Sequence, residues 1–231
     1  MEEEAGEFWI WVSYVPEHRL FLATHVGHHE QKDAHSVVKK SKGRLARPLP
    51  LFVSDGWDAY IEALLDAFHK IQHRPRTGRR GRPPGPQILP DPQLRYAQLV
   101  KVREKGRVVA IHKRVVFGKA DMIDMDNVTT SLIERENLSI RQDNRRLSRK
   151  TNGFSKCIEM LNHQVTFYRV YTNFVKKHAS LRQKINENVV GRVRRKWRHR
   201  TPAMSTGITD HVWDLRELLT FKVKALFIST N

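Results

Sequence analysis

Hydrophobic positions along the chain alternate between two periods, and the changes of period mark its elements. Over residues 8–15, aromatic and β-branched side chains crowd together and read as a strand. Pro16, Glu17 and His18 make a turn, and residues 19–26 read as a second strand, so the pair forms a hairpin. Residues 28–47 look partly helical and end basic, and Pro48 and Pro50 break them. Leu51, Phe52 and Val53 form a short apolar run closed by Ser54, Asp55 and Gly56. This pattern predicts a buried strand that ends at Asp55 and feeds a helix over 57–71, with Tyr60, Leu64, Ala67 and Phe68 on one face. Residues 95–103 and 107–117 are strongly β-prone, with Gly106 turning the chain between them. Residues 121–127 form an acidic loop. From 130 to 150 the period becomes helical. Ile133, Ile140 and Leu147 recur at seven-residue spacing, Leu132 and Leu138 widen the stripe, and the hydroxyl of Thr130 or Ser131 is placed to cap the start. Thr151, Asn152 and Gly153 interrupt the pattern. It resumes over 155–178, with Ile158, Leu161, Val165, Tyr168, Tyr171 and Val175 at core spacing. Asp214 and Glu217 resemble a capping box that opens a last short helix. No internal repeat is visible. The predicted fold class is α/β, a mixed sheet flanked by helices.

Charge changes the picture. The chain has 231 residues and a formal net charge of +18, unevenly spread. Residues 1–70 hold 8 basic and 11 acidic side chains, whereas 71–133 hold 13 and 5, and 134–200 hold 18 and 5. An acidic first portion joined to a strongly basic second portion suits a polyanion partner, with carboxylates left over for a metal. A ribosomal-type protein, basic throughout, would gain little from the acidic part. Hydrophobic residues make up 39 % of the chain, enough for a real core. The single cysteine, Cys157, excludes an intramolecular disulfide framework and a cysteine zinc site, and fits a reducing cytosol. It falls in an apolar helical pattern and is expected as a small core residue. No run of about 18 apolar residues exists, so no transmembrane helix is expected. The opening Met1-Glu2-Glu3-Glu4 lacks the basic region of a signal peptide.

The candidate chemistry centres on the helix over 130–150. Glu134 lies in its first turn, just ahead of Arg135, Arg141, Arg145, Arg146, Arg149 and Lys150. Two readings fit these residues: a solvated amphipathic helix, or a helix that lies on nucleic acid and carries an acidic residue to a phosphate. Asp55 is open in the same way. It is an ordinary turn or cap residue, or one of several carboxylates converging from strand ends and helix starts. Two or three such carboxylates bind magnesium or manganese, and a pair of ions activates water or a 3′-hydroxyl in phosphodiester transfer. The Arg- and Pro-rich stretch over 74–92 reads as a basic loop, either tracking a phosphate backbone or disordered. His25, His28, His29 and His35 complete no zinc spacing, and Asp121, Asp124 and Asp126 lack the rest of a calcium loop. Among the five tryptophans, Trp197 alone is surrounded by arginines and is placed to stack on a base or sugar.

Two stretches in this order resemble the catalytic core of bacterial and archaeal DDE transposases of the insertion-sequence-one family. Asp55-Gly56-Trp57, with Tyr60 beyond it, is similar to the family's T-D-G-W-x-x-Y. Ile133-Glu134-Arg135, with Asn137, Arg141 and Gln142, then Arg149-Lys150 and Phe154-Ser155-Lys156, is similar to I-E-R-x-N-x-x-x-R-Q followed by R-K-x-x-x-F-S-K. Residues 6–12 resemble the opening D-E-x-W-x-x-V strand, and residues 200–219 resemble the end of longer members. The resemblance implies an RNase H-like mixed sheet and two-metal phosphodiester hydrolysis and strand transfer with Mg2+ or Mn2+. Asp55 would be the second metal carboxylate and Glu134 the third. Arg135, Asn137 and Arg141 would support the metal carboxylates from behind or contact DNA, and the basic residues Arg145, Arg146, Arg149, Lys150 and Lys156 would contact DNA. Its division of the chain is a first half of the core over 1–71, a basic loop and β insertion over 72–120, the catalytic Glu helix and the next helix over 121–180, and a basic tail over 181–231. The implied partners are double-stranded DNA, as element ends and target, and further copies of the chain, with no membrane. The implied location is the prokaryotic cytoplasm, in association with the nucleoid.

The pattern departs from the family at one place. Where the first catalytic Asp belongs, the chain has Gly6, and Glu7 matches the acidic residue that follows it. A carboxylate shifted by one residue on a strand points to the other face, so neither Glu7 nor Glu4 fills the position directly. The upstream DNA-recognition region of full-length relatives is also expected to be missing. Weak or absent strand transfer by this chain alone is therefore the expectation. The alternative is a non-catalytic DNA-binding remnant or regulator of transposition.

Overall fold

The computed structural model describes residues 8–73, 85–147, 152–185 and 197–222. The chain divides into two compact units, residues 1–13 with 22–162, and residues 14–21 with 163–231. The elements are mixed α and β, as the pattern predicts.

In the first unit the sheet is built from β3 (Leu51–Asp55), β6 (Arg95–Glu104) and β7 (Arg107–Phe117), in the order β3-β6-β7. β3 runs parallel to β6, with Leu51 opposite Arg95 and Asp55 opposite Leu99. β7 returns antiparallel to β6. Lys105 and Gly106 both take positive φ, 47° and 79°, which is the backbone a tight two-residue hairpin turn requires. Residues 95–99, expected within an insertion, thus pair with the strand that carries Asp55. Local propensity marks both strands, but the parallel register of β6 with a strand 44 residues earlier leaves no local trace.

Alternation along β3 and β6 divides two cores between the faces of this sheet. On one face Tyr96 and the partly buried Phe52 pack with α1 (Gln31–Lys42) and α2 (Ala59–Ala67), through Val37, Val38, Ala63, Leu64 and Phe68. On the other, Ala97 and Leu99 pack with Ile123 and Val128, with Leu51, Val53, Val115 and Met125 at the margin. The acidic loop supplies that cover as two short 3-10 turns, Ala120–Met122 and Met125–Asn127. β3 is half-buried rather than buried, and Asp55 at its end is exposed. α2 is shorter than the helix expected over 57–71, because the chain turns at Phe68 into β4 (His69–Gln72), which pairs with β5 (Gln87–Pro90). The hairpin of β1 (Trp9–Val15) and β2 (Leu20–Gly27) forms its own two-stranded sheet, turned by a 3-10 segment at Pro16–His18.

α3 (Ser131–Asp143) is the predicted central helix, cut short. Asn144 leaves helical geometry, its buried side chain donates to the Ile140 carbonyl at 2.7 Å, and a 3-10 turn follows at Arg145–Leu147. An Asn that bonds back to the last turn offers the backbone an exit from the helix, which the heptad of apolar residues does not reveal. Cys157 corrects another expectation: it is exposed and precedes α4 (Ile158–Phe174).

In the second unit, Val165 and Tyr168 of α4 are buried, and Phe21 stacks edge-on against Tyr168 at 6.0 Å. Asn173 holds the hairpin tip through both halves of its amide. Its Oδ1 accepts from the Phe21 N–H at 3.0 Å, and its Nδ2 donates to the Phe21 carbonyl at 2.9 Å. The basic tail forms strands the sequence reading did not expect, β8 (His178–Lys184) and β9 (Trp197–Arg200), followed by α5 (Pro202–Ser205) and α6 (Leu215–Thr220). Asp214 caps α6 through the Glu217 N–H at 2.7 Å, as predicted. The Glu217 carboxylate meets His211 instead of completing the box.

Asn173→Ala is expected to leave a buried N–H and a buried carbonyl of Phe21 without partners. The cost is about 2–4 kcal/mol, read as a loss of unfolding free energy in urea. Asn173→Asp keeps the acceptor and loses the donor, and should fall between.

Candidate metal and nucleic-acid site

Asp55 is held at the end of β3 by what lies behind it. Ser54, on the opposite face, bonds the Tyr96 hydroxyl at 2.7 Å. Gln98 donates to the same hydroxyl at 2.8 Å and to the Trp57 carbonyl at 3.2 Å, and Arg114 donates to Gln98 Oε1 at 2.7 Å and also pairs with Asp58. This polar chain ties the turn after β3 to β6 and β7. The Asp55 carboxylate accepts the Trp57 N–H at 3.4 Å, a local turn bond, while α2 begins only at Ala59. Gly56 packs close to β6, where a Cβ would lie 3.0 Å from the Val100 side chain. Burial raises the pKa of the Tyr60 and Tyr96 hydroxyls, and the negative charge of Asp55 raises both further. Trp57 then stacks in an aromatic group with Trp11, His29 and Tyr60, which sets β1 beside the turn.

Glu134 sits in the first turn of α3. The Thr130 hydroxyl, expected as a helix cap, instead donates to Glu134 Oε1 at 2.6 Å, and the Ser131 N–H is taken by Thr129. Lys101 of β6 also donates to Oε1, as an ion pair. Lys101 was not singled out from the sequence. It is one lysine among many, and only the register of β6 brings it to the helix. Partial burial by itself would raise the Glu134 pKa. The hydrogen bonds from Lys101 and Thr130 and the charges of Lys101 and Arg103 outweigh it, and the carboxyl is held below its ordinary value.

The two carboxylates share a face. Asp55 lies opposite Leu99, and Lys101 follows Leu99 by two residues, so Lys101 returns to the side of the sheet that Leu51, Val53 and Asp55 occupy. At ordinary strand spacings, the Asp55 and Lys101 Cα atoms are about 8 Å apart. On α3, Glu134, Asn137, Leu138 and Arg141 follow at i, i+3, i+4 and i+7 and form one stripe. Leu138 is exposed in the middle of it. Arg135 is exposed a quarter-turn away, and Arg145, Arg146 and Lys156 are exposed beyond the helix end. Arg149, Lys150, Gly6, Glu7 and Glu4 lie outside the described residues, as does most of the basic loop at 74–84.

Asp55 and Glu134 offer the hard oxygen donors that magnesium and manganese prefer, and the site has already drawn a cation, the Lys101 ammonium. In donor chemistry the two carboxylates suit such an ion as part of a ligand set. Among the described residues, no group of three His, Cys, Asp or Glu side chains is placed to hold a metal. The histidines are engaged elsewhere: His25 pairs with Asp33 at 2.8 Å, and His29 packs against Trp57. The Trp197 ring is covered by the Arg182 guanidinium, 4.4 Å from its centroid, which takes the stacking place expected for a base.

The depressed Glu134 pKa fixes a sign. The contribution of this carboxylate to stability is complete above the ordinary value of 4.5 and is lost as pH falls through the lower folded value. Thr130→Val and Lys101→Gln should each move the Glu134 carboxyl upward in an NMR pH titration. The double variant should titrate higher than either single variant, because only the charge of Arg103 then opposes burial.

Among the described residues, no helix is long and apolar enough to cross a membrane. No curated protein and no solved structure is significantly similar to the chain. A family model described as IS1 transposase matches residues 109–179. The match begins within β7 and contains Glu134, Arg135, Asn137, Arg141 and Lys156, while Asp55 lies before it. Residues 109–120, expected in an insertion, fall inside it. This segment, with the Glu134 helix near its centre, is what the chain shares with the IS1 transposase family model.

Proposed function

We propose that the chain is the DDE-type phosphodiester-transfer protein of an insertion sequence, built on an RNase H-like core. The reading rests on one observation above all: a strand-end Asp55 and a helix-start Glu134 occupy one face of the sheet, within the unit that contains most of the matched family segment. Asp55 and Glu134 would hold Mg2+ or Mn2+. The ion would supply an activated water or 3′-hydroxyl and offset charge on the leaving oxygen. Asn137 and Arg141, on the Glu134 stripe, would bind phosphates on either side of the scissile bond, and Arg135, Arg145, Arg146, Arg149, Lys150 and Lys156 would track the backbone of element-end and target DNA. Multimers of the chain would pair the two element ends.

A second reading is favoured by Gly6 at the first carboxylate position: a protein that binds element ends and regulates transposition without cutting. One experiment separates the two. Element-end duplex is incubated with the chain in Mn2+, with the natural sequence and with Gly6→Asp. Catalysis predicts slow cleavage by the natural chain, faster cleavage by Gly6→Asp, and a loss of at least about 100-fold in Asp55→Ala and Glu134→Ala of either background. Specific end binding with no cleavage in any of these proteins would leave the regulatory reading standing. In both cases Arg141→Ala should weaken binding and lower the salt slope by about one unit.

A further inference from the structure

Lys101 is a charged side chain at this site that the transposase reading leaves without a part. It stands on β6, the middle strand of the sheet, and its side chain is only 26 % exposed, against 52 % for Glu134. The lysine is therefore the anchored partner of the pair. Its ammonium and the Thr130 hydroxyl converge on the same oxygen, Oε1. Arg103, two residues further along β6, adds a second positive charge toward the same carboxylate. A solvated surface pair joins two mobile side-chain ends and is worth little. Here a strand-rooted ammonium meets a carboxylate already oriented by a neighbouring hydroxyl, so little conformational freedom remains to be lost.

We propose that Lys101 is an internal counter-ion that competes with the divalent metal for Glu134. The inference rests on the reading of Glu134 as a metal carboxylate. An ammonium donating to one oxygen of a carboxylate neutralises most of the charge a metal would seek. If the ammonium stays while the ion takes Oε2, two positive charges lie within one carboxylate's width and repel. If it leaves, the ion pair is lost. Either route lowers the affinity of the free protein for metal. A DNA phosphate offers the displaced ammonium a new partner, so the polyanion and the metal favour one another at this site. Lys101 is thus a positioning residue, acting through Glu134.

The test is Mn2+ binding to the full chain at neutral pH, read from the EPR signal of free Mn2+, with no DNA present. Lys101→Gln should bind roughly fivefold or more tightly than the natural chain. Lys101→Arg retains the charge and should not gain. Glu134→Gln should weaken binding and erase the gain in the Lys101→Gln background. Unchanged affinity in Lys101→Gln, with Glu134→Gln still weakened, overturns the competition and leaves the metal reading intact. Affinity indifferent to Glu134 overturns both. A second measurement needs no variant: the rate at which Lys101 is acetylated in the natural chain, followed by mass spectrometry, should rise as Mg2+ is added. A rate that does not respond contradicts displacement.

Discussion

The parallel pairing of β3 with β6 is the constraint on which the rest of this site depends. It joins segments separated by α2, the β4–β5 hairpin and the basic loop, and it fixes a register. Because side chains alternate along a strand, that register decides more than adjacency. A slip of one residue in β6 would turn Lys101 away from α3, to the side of the sheet that packs on α1 and α2. The register is secured on both sides. Leu51, Val53, Ala97 and Leu99 join one core, and Phe52 and Tyr96 join the other. The Ser54–Tyr96–Gln98–Arg114 chain then locks the polar end.

With the register fixed, local electrostatics at Glu134 follow. A carboxylate at a helix start ordinarily gains from the unpaired N–H groups there. This one takes a hydroxyl from the preceding residue-cap position and an ammonium from the sheet. Thr130 thereby gives up the capping role its position suggests, and Thr129 takes the first free N–H in its place. The exchange turns a generic helix start into a carboxylate of fixed orientation, and the hydrogen bonds outweigh the burial that would otherwise favour its protonated form.

Much of this was legible. Alternation and turn residues located β6, β7 and Gly106, and the Asp55 and Glu134 motifs marked the two carboxylates before any fold was known. What escaped was long-range or competitive. Lys101 carries no local mark, since nothing within a β-prone basic stretch says which lysine will meet a helix 30 residues on. Asn144 ended α3 against an intact apolar heptad, because a side-chain bond to the Ile140 carbonyl outcompeted helix continuation. Cys157 had apolar neighbours on the helical period, yet the helix starts one residue later and leaves it exposed. Trp197 was surrounded by arginines in sequence, and one from the neighbouring strand, Arg182, covers its ring.

The charge map joins these observations. Carboxylates are scarce beyond residue 70, where basic residues outnumber acidic ones by more than two to one. In such a field, an exposed carboxylate attracts a cationic side chain whether or not it serves a metal, so an ion pair at Glu134 is no proof of a site. Orientation is more telling. A carboxylate that merely offsets surplus charge needs no neighbour to hold its rotamer, and an exposed aliphatic side chain such as Leu138 gains nothing beside it. Glu134 has the Thr130 hydroxyl fixing one oxygen, and its stripe continues through Asn137 and Leu138 to Arg141, a mixture of polar, apolar and cationic groups turned outward. Under the proposed function, that face would meet phosphates together with base or sugar surfaces.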